Sequence, residues 1–227
     1  MKQEKTPGLL HKSLVQTIVE SIEARIINGE LQPGERLIEQ AMCDLLEVSR
    51  APLREAFRIL ENQGFLENRQ RKGVYVTKLT RKEAIDIYMI RANLESLATY
   101  LAVKAGGKAL ADELGAIHTV MKDAVKRGDS DCYIVNNLRF HEILVSTCGN
   151  QRLIDMLRSF NKHTARYRVK ILSTPGKYEE SIKRHEELIA AIANGEAEKA
   201  ERIRREAVLS NIPRVEATFD DESEDGG

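Results

Sequence analysis

Three arginines, Arg50, Arg54 and Arg58, stand at i, i+4 and i+8 in the stretch VSRAPLREAFRILENQGF. On a helix that spacing lines up three guanidinium groups on one ridge, while Leu53, Ala56, Phe57, Ile59 and Leu60 fill the opposite side. A ridge of fixed cations suits phosphate oxygens. A second group of chemically able residues lies further along. Asn137 and His141 are four apart and share a helix face, and His185 opens another helical pattern. Histidine with a nearby oxygen donor can hold a divalent metal, although asparagine is the weaker ligand because it brings no charge. The spacing is equally that of histidines satisfied in a core or at a surface.

The chain must supply elements that aim these groups. Leu14, Ile18, Ile22 and Ile26 recur at helical steps, so a helix is expected over 11–28, stopped by Asn28-Gly29. The segment LQPGERLIEQ turns into a second helix over 38–46. Ser49 is placed to cap a third helix that runs to Gln63 and closes at Gly64, with Pro52 in its first turn, where a missing N–H costs nothing. FLENRQ and VYVTKL then read as two strands joined by the polar loop Gln70-Arg71-Lys72-Gly73. Beyond Thr80, an N-cap with Glu83 as its capping-box partner, the pattern is helical throughout. Helices are expected over 81–105, 108–127, 130–147, 150–172, 177–194 and 196–210, separated by glycine-containing breaks such as Gly106-Gly107 and Gly128-Asp129.

The fold expected is therefore mainly α: a flexible N-terminus at 1–9, a winged helix-turn-helix of three helices plus a β-hairpin over 10–78, an all-α bundle of six or seven helices over 79–212, and an acidic disordered tail at 213–227. A winged helix of this order sets its third helix in the DNA major groove and its hairpin on backbone or minor groove. An isolated helix bearing the arginine ridge would be a solvated face, with Arg50–Glu47 and Arg58–Glu61 or Arg58–Asn62 as surface pairs. The capped turn before it, and the Arg-Gln-Arg-Lys-Gly hairpin loop after it, favour a nucleic-acid surface.

Charge agrees with that placement. The whole chain of 227 residues carries 35 basic and 35 acidic side chains and no net charge. Between Ser49 and Lys78 there are seven cations (Arg50, Arg54, Arg58, Arg69, Arg71, Lys72, Lys78) and three anions (Glu55, Glu61, Glu67), a local excess of four. Such a patch in a neutral protein is the footprint a polyanion needs. With 42% hydrophobic and 31% charged residues, the composition is that of a globular chain long enough for two domains. No apolar run approaches the roughly 20 residues that span a bilayer, and MKQEKTPGLL lacks a secretory core, so a cytoplasmic protein without membrane contact is expected. Cys43, Cys132 and Cys148 form no CxxC pair and are expected to be reduced, without chemistry of their own. The absence of GxSxG, P-loop, HExxH and Gly-rich dinucleotide motifs argues against an enzyme.

The segment GERLIEQAMCDLLEVSRAPLREAFRILENQGFL, with the wing Gly73-Val74-Tyr75-Val76, resembles the DNA-binding domain of the GntR family of bacterial transcription factors. The resemblance implies that Arg50 and Arg54 contact operator bases or phosphates, that Ser49 and Ala51 line the same groove, and that the wing loop, Arg71, Lys72 and Gly73, enters the adjacent minor groove. Many relatives have arginine where this chain has Gln40, so a contact there would be neutral. The helical part resembles the FCD ligand-binding domain of the FadR type, in RANLESLATYLA, NLRFHEILVSTCGNQRL and RHEELIAAIANGEAEKA. Metal-binding members hold zinc, nickel or manganese through an aspartate and three histidines; His141 and His185 match two of these, whereas Asn137 and Ala207 replace the other two. Weak or absent metal is the expectation. A small organic acid effector is implied, held by Arg91, Asn137, His141 and His185, with Arg91 either clamping a carboxylate or forming a salt bridge with Glu95. The implied protein is a homodimeric repressor of a two-fold operator, cytoplasmic and nucleoid-associated when bound to DNA. The rivals are a constitutive DNA-binding protein whose bundle only dimerises, and a metal-dependent helical enzyme. His118 and His163 match nothing in the pattern and are expected at the surface or beside the pocket.

Overall fold

The computed structural model describes residues 13–165, 171 and 177–224. The N-terminus expected to be flexible at 1–9 and most of the expected helix beyond 165 lie outside the described residues. The chain divides between Lys78 and Leu79 into two compact units, and it is mainly helical.

In the first unit, α1 (Leu14–Ile27) starts at Ser13, whose hydroxyl accepts from the Gln16 N–H at 3.1 Å. After the short β1 (Arg36–Leu37), α2 (Glu39–Leu46) ends on Glu47, which takes the left-handed conformation with φ 53°. Ser49 occupies the N-cap of α3 (Arg50–Asn62) as expected, although its side chain makes no capping hydrogen bond. Burial of Leu53, Ala56, Phe57 and Leu60 on one face of α3 leaves the arginine face outward. Leu53, Phe57 and Leu60 each contribute roughly 1.5–3 kcal/mol of transfer free energy, which fixes the helix's rotation about its own axis. The wing is β2 (Leu66–Arg69) paired antiparallel with β3 (Gly73–Val76), Arg69 opposite Gly73. The sheet has a third strand that the sequence reading missed: β1 pairs with the other edge of β3, Arg36 opposite Tyr75, in the order β1-β3-β2. Two residues are too few to show a period-two pattern.

In the second unit, the Thr80–Glu83 capping box is formed, with the Thr80 N–H donating to Glu83 at 2.8 Å and the Glu83 N–H donating to the Thr80 hydroxyl at 3.2 Å. It opens α4 (Arg81–Arg127), which breaks at Gly107, where φ 48° and ψ −133° exclude a side chain. At Gly106 a Cβ would lie 2.9 Å from Thr147 Cγ2, so the two glycines serve close packing and the bend. Next come α5 (Ser130–Ser146), α6 (Gln151–His163), α7 (Lys177–Ala193) and α8 (Ala197–Leu209), with α4 packed against α5, α7 and α8. The expected disordered tail is corrected in part: Ile212–Glu224 forms a helix, α9. Its anchors are Val215, fully buried, and the partly buried Phe219, which join a cluster with Ala84, Tyr88 and Ala92 of α4. Few apolar residues in an acidic stretch hid that face. Among the described residues no helix is long and apolar enough to cross a membrane.

Candidate nucleic-acid surface and ligand pocket

On α3 the side chains of Arg50, Arg54 and Arg58 are exposed, as are Gln40 on α2, Ser49 and Ala51 at the start of α3, and Arg71 and Lys72 in the wing loop. Gly73 is half-buried, with φ 104°, and a Cβ there would come within 3.4 Å of Arg36 Nε. Two of the arginines have side-chain partners on α2 that the sequence alone did not point to. Arg50 Nη2 donates to Gln40 Oε1 at 2.7 Å, and Gln40 Nε2 donates in turn to Asp44 at 2.9 Å. Arg54 grips Glu39, with Nε 3.0 Å from each carboxylate oxygen and Nη2 2.9 Å from Oε2. That hydrogen bond and the carboxylate's charge raise the Arg54 pKa further above its usual value. The surface pairs Arg50–Glu47 and Arg58–Glu61 do not form. Arg58, Arg71 and Lys72 make no side-chain hydrogen bond or ion pair with a described residue. α2 thus supplies struts that hold two guanidinium groups in place while 61% of the Arg54 side chain stays in solvent.

The second unit contains a cavity of about 710 Å³, counting the space at its mouth, between α4, α5, α7, α8 and the turn before α9. Arg91, Asn137, His141 and His185 all line it, so the structure brings the four expected effector residues together. The salt bridge expected between Arg91 and Glu95 is formed, and the arginine lines the cavity as well. It donates to Glu95 from Nε at 3.1 Å and from Nη2 at 2.7 Å. Burial opposes its charge, but Glu95 and Tyr88 outweigh burial and leave its pKa raised. Arg204 of α8, absent from the sequence reading, donates to the second Glu95 oxygen and lies with Nη1 3.5 Å from His141 Nε2. One buried carboxylate thus serves two buried guanidinium groups, at 3% exposure for Arg91 and Glu95 and 8% for Arg204. The signal was present in the sequence: Ala197, Ala200, Arg204 and Val208 recur at helical steps on the buried face of α8, and an arginine in such a stripe marks a built polar site. His118 takes the second of its two expected places, beside the pocket rather than at the surface. It is 6% exposed, 3.2 Å from the Ile182 carbonyl and edge-on to His185, and burial lowers its pKa. The side chain of His163 lies outside the described residues.

The donor set does not fit a divalent ion. His141 and His185 approach with Nε2 atoms 3.4 Å apart, and the Arg204 guanidinium directs N–H groups at the same His141 nitrogen. A metal there would need that lone pair and would face a fixed cation, with no carboxylate among the residues at Asn137, His141, His185 and Ala207. Among the described residues no three His, Cys, Asp or Glu side chains converge as a metal site.

Comparison with known proteins bears on both units. Residues 14–76 match the model of bacterial regulatory proteins of the gntR family, and residues 86–209 match the FCD domain, more than half of the chain. The chain belongs to the GntR family and carries an FCD domain. Among its curated relatives, an uncharacterized HTH-type transcriptional regulator of Bacillus subtilis, YdhC, is 35% identical over 144 residues, 62% of this chain and 63% of that protein. The match therefore spans less than two thirds of that relative's length. The HTH-type transcriptional repressor GlaR of Escherichia coli is 28% identical over 199 residues, 84% of this chain and 90% of that protein. Of solved structures, E. coli McbR/YncC superposes with a TM-score of 0.77 at 22% identity, covering 92% of this chain and all of that one, which shows a shared fold. The GntR relatives are transcriptional regulators, not enzymes.

Proposed function

We propose that this GntR protein is a cytoplasmic, DNA-binding transcriptional repressor whose affinity for a two-fold operator is set by a small organic acid in the FCD pocket. The observation that carries the reading is the exposed ridge of Arg50, Arg54 and Arg58, pre-set by Gln40 and Glu39, on the third helix of a winged unit. In that reading Arg50 and Arg54 take base edges or phosphates in the major groove, Ser49, Ala51 and Gln40 flank them, and Arg71, Lys72 and Gly73 meet the neighbouring minor groove. Cations already held by side-chain struts lose less conformational freedom on binding than free ones.

A homodimer would match operator symmetry. Exposed Met89, Ile90 and Leu97 on α4 support it, because Ile90 and Leu97 lie seven positions apart on one side of the helix. The pocket supports effector control: an acid that binds one arrangement of the protein better than another shifts the population toward it. The test is selection of bound fragments from genomic DNA, followed by fluorescence anisotropy with and without candidate acids. Specific binding that an acid weakens is the expected result. Binding indifferent to every acid would favour a constitutive DNA-binding protein, and no sequence preference would contradict the reading.

A further inference from the structure

We propose that the FCD pocket is a metal-independent site for a hydroxylated carboxylate, with the Arg204 guanidinium in place of the metal's charge and Asn137 and Asn211 as acceptors for ligand hydroxyls. The inference rests on reading this unit as an effector domain.

The charge count is the first support. Arg91 and Arg204 together carry two positive charges, and Glu95 supplies one negative charge between them, which leaves one buried cation in excess. Among the described residues the cavity wall presents Arg91, Arg204 and Arg184, the last paired with Glu180 at 3.1 Å, and no carboxylate. An excess charge at this depth is unfavourable unless an anion meets it, and a planar guanidinium is shaped for a carboxylate.

The second support is independent. Asn137 lines the cavity at 4% exposure, and its Oδ1 has no hydrogen-bond partner among the described residues. Asn211 also lines it, with Nδ2 donating to the Ala207 carbonyl at 3.0 Å, which fixes the amide's orientation and leaves its buried Oδ1 without a partner among the described residues. Unmet buried acceptors call for donors, and beside an excess cation a neutral hydroxyl on the carboxylate ligand suits them better than a charged ammonium. Arg204 sits one helical turn before Ala207, where the metal-binding pattern has its last histidine. Both residues line the cavity, so a long cationic side chain from the previous turn stands beside the place where that pattern has an imidazole.

The test is a thermal-shift and calorimetry series on the full chain in EDTA, using matched pairs: glycerate with propionate, tartrate with succinate, gluconate with hexanoate. At least one hydroxy acid is expected to raise the unfolding midpoint by several degrees, and its unhydroxylated counterpart to do far less. Replacing EDTA with zinc should change nothing. Arg204→Gln should weaken the active acid by roughly 30-fold or more, and Arg204→Lys should retain part of the binding, which separates lost charge from lost folding. Asn137→Leu should erase the preference for the hydroxylated partner. Silence across all six acids, a response that requires zinc, or equal binding of a matched pair would each overturn the proposal. DNA binding measured in parallel keeps the regulator reading separate: it stands or falls on the first unit.

Discussion

Arginine is used in opposite ways by the two units. On α3 each of two arginines has its own partner, Gln40 for Arg50 and Glu39 for Arg54, and the groups stay in water. In the pocket two arginines share Glu95 and all three are buried. In water an ion pair adds little stability and is screened by salt, so the α3 pairs serve mainly to aim their cations. Out of water the same groups dominate the local energy, because an unmatched charge cannot be hydrated. A surface cation can therefore wait for a polyanion, whereas a buried excess cation prepares a site for a small one.

That contrast can be broken first at Glu95. Glu95→Gln strips two buried guanidinium groups of the carboxylate they share and should destabilise the second unit by about 3–5 kcal/mol, read from urea unfolding. A change below about 1 kcal/mol would mean that the cluster is hydrated and the contrast false. On the surface, Arg54→Ala should weaken DNA binding about ten- to a hundredfold while leaving circular dichroism and the unfolding midpoint unchanged. Thr80→Ala removes half of the capping box and should cost about 1 kcal/mol at neutral pH. The Glu83 carboxyl is held below its usual pKa, first by the Thr80 backbone N–H and then by its hydroxyl. A depressed folded pKa gives stability that is present above the ordinary value and lost as pH falls through the folded one, so the gap between variant and parent should narrow in acid without closing, because the bond from the Glu83 N–H to the Thr80 hydroxyl does not titrate. Smallest of all, Glu39→Gln should move the unfolding midpoint by no more than about 2 °C, although it frees Arg54 to sample other rotamers.

Much of this was legible in the sequence, for identifiable reasons. The stripe of Leu53, Phe57 and Leu60 sets the rotation of α3 and so the outward arginines, and the Thr80–Glu83 spacing announces the start of α4. Gly106-Gly107 marked a real break because only glycine takes φ 48° with ψ −133°. Contacts between elements distant in sequence were not legible. Nothing local to Arg204 says that it meets Glu95, 109 positions away, and Glu39 is 15 positions from Arg54. The helix α9 was missed because its face has few apolar residues, Val215 and Phe219 chief among them, whose partners lie on α4.

The most direct test of the account is salt-dependent anisotropy of the full protein on a fragment recovered by genomic selection, for the parent and for Arg50→Ala and Arg54→Ala. The expected result is tight binding by the parent that falls steeply with salt, and a lower affinity for each variant. Equal affinity and equal salt slope in all three would show that the α3 ridge does not touch the nucleic acid, and would contradict the account.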